Sequence, residues 1–290
     1  MKFLVTGATG KLGSKVIESL LKSVPASNLV VSVRNPEKAE GLRKRGVEVR
    51  QGDFDRPETL NNAFKGIDRL LIISADGDNE TRIEQHANAV QAAEHAGVKF
   101  IAYTSLANAT ESKNLMAPPH VETETVIINT GIPYSFLRNN WYLENEIGSI
   151  QGALAGAPWV TSAGVGKVGW ALQQDYADAA ARVLVGNGHE NTVYELSGPL
   201  LTQEELASAL GNVLGKDIPV QQVSDEQYAE IMRGLGLPEF VIPIVVGIQE
   251  SIRNGSLEVE SNDFEKVLGR PVTPINEALI QLVNAISQTK

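Results

Sequence analysis

No cysteine occurs among the 290 residues, so neither a disulfide nor thiolate chemistry is open to this chain. That absence fits a reducing compartment, and the cytoplasm is the expected location. Positive charge is also scarce: 25 Lys and Arg stand against 35 Asp and Glu, a formal net charge of -10. Such a balance repels a phosphate backbone, and no Lys/Arg run offsets it locally, so nucleic acid is not an expected partner. Long apolar runs are missing as well. Phe3, Leu4 and Val5 make too short a stretch for a secretory core. The run from Phe240 to Ile248 is broken by Pro243 and Gly247, so membrane insertion is not expected. Four histidines, His86, His95, His120 and His189, show no ligand spacing, and no metal is expected. What is present, 42% hydrophobic residues, suffices for a sizeable core in a soluble protein.

Short β-rich runs alternate with longer helical patterns from the first residue, as in a parallel sheet with crossover helices. Strands are expected near 2–6, 28–33, 47–51, 69–73, 99–104 and 134–137, with helices near 11–22, 36–45, 57–64, 82–96 and 119–129. Leu70-Leu71-Ile72-Ile73 is uniformly apolar, as suits a strand covered on both faces. The pattern predicts an α/β fold of the Rossmann kind, with a doubly wound parallel sheet over residues 1–140. After Asn140 the rhythm loosens and Gly and Pro accumulate. Residues 141–290 are expected to form a smaller, partly interleaved α/β domain that roofs the carboxyl ends of the sheet, where ligands of such folds bind.

The strongest motif is Thr6-Gly7-Ala8-Thr9-Gly10-Lys11-Leu12-Gly13, directly after the first strand and opening the first helix. Glycines let the backbone turn sharply and approach a pyrophosphate, while the helix N-terminus offers free N–H groups and a positive dipole end. Cofactor choice follows from the second strand. NAD-preferring folds end it with an acid for the ribose 2′-hydroxyl, whereas this chain has Val33-Arg34, with Lys38 a turn later. Arg34 can pair with a 2′-phosphate, which favours NADP(H); the alternative is a solvated loop cation.

The G-x-x-G-x-x-G spacing resembles extended and atypical short-chain dehydrogenases. Together with Val33-Arg34-Asn35-Pro36, Gly52-Asp53-Phe54, Phe100–Ser105 and Leu137–Asn145, it resembles their NmrA-like group, and within it the type 2 NADPH:quinone oxidoreductases. The resemblance covers at least two-thirds of the chain. It implies that Asp53 and Phe54 receive the adenine, that Ser74 lies beside the nicotinamide ribose, and that Asn139 and Asn145 help to hold the cofactor. Asp53 could instead be part of a helix start before Pro57.

Ordinary members of the superfamily use Tyr-x-x-x-Lys, the Tyr protonating a carbonyl and the Lys lowering its pKa. None of the six tyrosines here has a lysine four residues on. The resemblance puts His120 and Glu124 in those two places. A quinone accepts hydride to give a stable hydroquinone anion that can take its proton from water, so an enzyme without the pair can still reduce quinones if it holds the two rings together. Asn140, Trp141 and Tyr142 are expected to position a flat quinone at the exit of the sixth strand. The bland alternatives are a helix-start His120, a solvated Glu124, and Trp141 and Tyr142 acting only as a wedge between domains. Two other functions stay open: a non-catalytic NADP(H)-sensing regulator of the NmrA type, and, more weakly, a sugar-nucleotide epimerase or reductase, whose chemistry needs the missing base. A homo-oligomer is compatible with all three.

Overall fold

Apolar strands are stable when both faces are covered, and the first half of the chain follows that rule. The computed structural model describes residues 1–288. In chain order it forms β1 (Phe3–Thr6), β2 (Leu29–Val33), β3 (Glu48–Gln51), β4 (Arg69–Ile72), β5 (Phe100–Leu106) and β6 (Tyr134–Asn139). Of these, β1, β2, β4 and β5 are buried along their whole length. Between them run α1 (Lys11–Leu21), α2 (Glu40–Lys44), α3 (Pro57–Ala63), α4 (Asn79–His95) and α5 (Ala117–Asn129).

The second half supplies α6 (Ile147–Leu154), β7 (Trp159–Thr161), β8 (Lys167–Gly169), α7 (Gln173–Val185), β9 (Thr192–Leu196) and β10 (Leu200–Thr202). Then follow α8 (Gln203–Leu214), β11 (Val220–Gln222), α9 (Asp225–Gly234), α10 (Ile242–Arg253), α11 (Asp263–Leu268) and α12 (Ile275–Gln288). The main sheet has seven strands in the order β3-β2-β1-β4-β5-β6-β9, all parallel. This is the Rossmann arrangement. The order reverses between β1 and β4, which opens a crevice at their carboxyl ends.

Interleaving takes a definite form. β9 closes the sheet beside β6, and α7 covers α1, so that Val16, Ile17 and Leu20 share one core with Tyr176, Ala177, Ala180 and Val183. Leu60, Phe64, Val90, Ala93 and Ile127 cover the other face of the sheet. A third core, with Trp159, Trp170, Leu206, Leu210 and Leu279, belongs to the second half alone. Two small sheets, β8 with β10 and β7 with β11, frame it.

Several boundaries differ from the sequence reading for local reasons. α4 begins at Asn79 rather than near 82, because the Asp78 side chain caps the Thr81 N–H. The expected helix at 36–45 is split into a 3-10 turn, Pro36–Ala39, and α2. β5 and β6 each run two residues further than expected, which pairs Ser105 with Arg138 and Leu106 with Asn139 in register. α8 opens with a capping box, in which the Thr202 side chain accepts the Glu205 N–H and the Glu205 side chain accepts the Thr202 N–H.

Candidate active site

The glycine turn sits at the switch point. Gly7 has φ +62°, a conformation natural to glycine, and its carbonyl accepts the Gly10 N–H at 2.9 Å. A Cβ on Gly13 would lie 2.2 Å from the Gly7 oxygen, so α1 packs against the turn only without a side chain there. The Cβ of a residue at Gly10 would stand 3.2 Å from the same oxygen. Thr6, Ala8 and Leu12 are buried as supports, while Gly7, Thr9, Gly10 and Lys11 are exposed.

α1 has Gly10 as its N-cap, with no side-chain cap and no acid in its first turn. With glycine at the N-cap, the missing side-chain cap costs only about a few tenths of a kcal/mol. The burial of Val16, Ile17 and Leu20 outweighs it, at about 1.5–3 kcal/mol for each side chain. The helix is therefore stable with its leading N–H groups left open for an anion. Arg34 follows β2, is exposed, and makes no side-chain hydrogen bond or ion pair among the described residues. Those features fit a dinucleotide carrying a 2′-phosphate.

At the end of β3, Asp53 is half-buried. Its Oδ1 accepts the Asp55 N–H at 3.2 Å, and its own N–H donates to Thr59 Oγ1 at 2.9 Å. The N-cap of α3 is Arg56, so the Asp53 side chain does not cap that helix. Phe54 lies edge-on to His86, with ring centroids 6.4 Å apart.

Ser74 follows β4 and leads into a buried polar network that the sequence did not reveal as a unit. Arg82 Nη2 donates to Ser74 Oγ and contacts His120 Nε2, both at 2.9 Å. A guanidinium only donates, so Nε2 of His120 is the acceptor and a neutral ring carries its proton on Nδ1. That Nδ1 faces the Tyr103 hydroxyl at 2.9 Å. His86 has the same tautomer: its Nε2 accepts the Ala75 N–H at 2.9 Å, and its Nδ1 donates to Thr123 Oγ1 at 2.8 Å. Thr123 passes its own proton to the Pro119 carbonyl. Burial, reinforced by Arg82, pulls His86 down to about 3. His120 is lowered well below its ordinary value by burial first, then by Arg82 and His86. Burial pushes the Tyr103 hydroxyl up to about 12.

Glu124 is placed differently from His120. Its oxygens receive Arg138 Nε at 2.9 Å and Nη2 at 2.6 Å, and Oε1 also accepts from Ser105 Oγ. Arg138 reaches Glu195 Oε1 at 3.1 Å, and Glu195 Oε2 takes the Asn108 N–H. Glu124 is 4% exposed, neither a solvated acid nor a free one. This triad joins α5, β6 and β9, and its bonds commit the carboxylate to structure.

The exit of β6 divides its residues between the cores. Asn139 Nδ2 donates to the Tyr142 hydroxyl at 3.0 Å. Asn140 Nδ2 donates to Ser197 Oγ and to the Leu257 carbonyl, tying β6 to the second half. Tyr142 packs edge-on against Tyr176 in the first core, and Trp141 packs on the third. These two aromatics therefore join the cores. Asn145 is exposed. One more acid stands nearby: Glu146 takes the Trp170 indole N–H at 3.2 Å, and burial pushes its carboxyl up to about 7.

Arg82 and His86 lie four apart on α4, which puts them on one helix face. That spacing is the signal that could have found them.

Sheet order, glycine turn and the arginine after β2 together define a dinucleotide-binding protein of the short-chain dehydrogenase kind, lacking the Tyr-x-x-x-Lys pair. The NmrA-like family model matches residues 1–262, and the chain belongs to that family. It is 42% identical over 281 residues to quinone oxidoreductase 2 of Escherichia coli (strain K12), covering 97% of this chain and 98% of that protein. The solved structure of Citrobacter sp. triphenylmethane reductase with NADP(H) superimposes with a TM-score of 0.94 at 42% identity, over 97% of this chain and 100% of that one. An Escherichia coli NADPH-dependent quinone oxidoreductase in complex with NADPH gives 0.93 at 41% identity, over 97% and 99%. No helix among the described residues is long and apolar enough to cross a membrane.

Proposed function

We propose that this protein is an NADPH-dependent quinone oxidoreductase that holds its quinone in the crevice between the sheet and the second half of the chain. The observation that carries the reading is the state of the two residues where a proton donor and its partner would stand. His120 is neutral, with its acceptor nitrogen filled by Arg82 and its proton directed at Tyr103. Glu124 is held by Arg138 and Ser105. Neither is free to act as an acid. A quinone is an acceptor that needs none, because water can protonate the hydroquinone anion. The full-length similarity to a quinone oxidoreductase supports the same reading.

The chain's own residues have separate tasks. The backbone of Gly7–Gly13 and the open end of α1 hold the pyrophosphate, and Arg34 receives the 2′-phosphate. Asp53 and Phe54 border the adenine, and Ser74, Asn139 and Asn145 the nicotinamide end. Bound NADPH supplies the hydride, so that NADPH, a quinone and one proton become NADP+ and a hydroquinone. Asn140, Trp141 and Tyr142 fix the wall against which the flat ring is positioned, and orientation is their contribution to rate.

The test is NADPH oxidation with a panel of simple quinones beside simple aldehydes and ketones. Steady turnover on quinones alone is expected. Turnover on carbonyl compounds, or binding of NADPH with no turnover at all, would overturn the proposal; the second result would make the protein a sensor.

A further inference from the structure

A buried cation is normally met by a carboxylate, and among the described residues Arg82 is met by none. The residue is 7% exposed, and its Nε is buried without a hydrogen-bond partner among the described residues. Its contacts are two neutral groups, Ser74 Oγ and His120 Nε2. The exposed Asp76 acts on it only at a distance. Leaving a guanidinium so poorly compensated is costly, and a cost of that kind marks functional sites.

Resting on the function proposed above, we propose that Arg82 supplies, from α4, the fixed positive charge that Tyr-x-x-x-Lys enzymes take from their lysine. It is a positioning residue that acts through its two partners. By donating to His120 Nε2 it fixes that ring as the neutral Nδ1–H tautomer, whose proton holds the Tyr103 hydroxyl. By donating to Ser74 Oγ it uses an acceptor site of that oxygen, and the serine proton is held by no more than a long 3.5 Å contact to His86 Nε2, which already accepts the Ala75 N–H. Ser74 is the more exposed of the two partners, half-buried at the carboxyl end of β4 where the crevice opens. A hydroxyl backed by a cation in a low-dielectric site is a strong donor to an oxygen that gains negative charge. The quinone oxygen does so when it receives hydride, and the reaction then ends with a proton from water.

The groups facing His120 are few. Arg82 and His86 come from α4 and Tyr103 from β5. On its own helix are Thr123, spent on the Pro119 carbonyl, and Glu124, spent on Arg138. Removing the guanidinium therefore removes the one charge that holds the ring.

The experiment compares the parent with Arg82→Gln and Arg82→Lys. Histidine ring 15N–1H spectra of the ligand-free proteins are recorded from about pH 5 to 8, the range in which an ordinary histidine titrates. Quinone turnover and NADPH affinity are measured alongside. In the parent, His120 is expected to stay neutral with its proton on Nδ1 throughout. In Arg82→Gln it should titrate within the range or move its proton to Nε2, with kcat at least ~10-fold lower, about 1.4 kcal/mol of barrier, and NADPH affinity kept. Arg82→Lys should retain the Nδ1–H tautomer and part of kcat. An unchanged His120 spectrum together with parental kcat in Arg82→Gln would overturn the proposal. So would a loss confined to NADPH affinity, which would make Arg82 a cofactor ligand. If Arg82→Gln does not fold by thermal melt, Arg82→Lys decides, and loss of both tautomer and turnover there counts against the idea. A parent that reduces no quinone removes the function, while the spectra, which need no substrate, still decide whether Arg82 grips His120.

Discussion

The proposed nucleotide end and the proposed reaction end of the crevice are built on opposite plans. At the first, groups are left open: Gly7, Thr9, Gly10 and Lys11 are exposed, α1 is uncapped, and Arg34 reaches into solvent. At the second, side chains are already paired with one another, from Arg82 through His120 to Tyr103 and from Glu124 through Arg138 to Glu195. The difference teaches where recognition and rigidity reside. A phosphate is bound by donors that wait for it. A flat ring that needs only to be held in place is better served by a wall that cannot rearrange.

That contrast breaks most severely if the ion triad is broken. Glu124→Ala leaves Arg138 with Glu195 as its one carboxylate partner in a half-buried site, and losing one partner of a buried pair costs at most about 3–5 kcal/mol. Chemical denaturation is expected to show a loss of that size, with turnover per folded molecule largely kept. Parental stability with abolished turnover would return Glu124 to the chemistry. Arg34→Ala tests the open end. It should leave folding untouched and weaken NADPH by roughly ten- to a hundredfold, about 1.5–3 kcal/mol, with little change in NADH. Equal losses for both cofactors would show that Arg34 does not read the 2′-phosphate.

The smallest effect is graded with pH and belongs to the buried end alone. His86 and His120 have folded pKa values below the ordinary 6.5. Above that value both states are neutral and neither histidine affects stability. Below it the unfolded chain takes up protons that the folded chain refuses, so stability falls with pH. Between about pH 6.5 and 5.5 His86 should remove about 1 kcal/mol, and His120 acts in the same direction. Replacing His86 with Asn is expected to flatten that slope in a melting series, and an unchanged slope would mean that other groups cause it.

Much of the frame was readable in advance because it is written locally. Apolar runs marked β1 to β6, and the glycine turn marked the switch point. β7, β8 and β10 were not readable, since each exists only by pairing with a partner strand elsewhere in the chain. The glycine segment Thr6–Gly13 is one continuous turn and could be named from spacing. The reaction end could not. His120 and Glu124 were found through a resemblance, but what occupies them comes from residues 82, 103, 105 and 138, which no single window contains.

The late return of the chain to the first sheet has a consequence for biosynthesis. β1 and α1 are among the first segments made, yet α1 lacks its cover until α7, beginning at Gln173, has left the ribosome, and β6 stays an unpaired edge until Thr192–Leu196 follows. Contacts between such distant segments close slowly, because the intervening loop must first be ordered. During that interval Val16, Ile17 and Leu20 face water and the β6 edge can pair with another chain. A nascent chain halted between residues 140 and 190 should therefore be sticky and protease-sensitive, and translation through β9 should convert it to a resistant form.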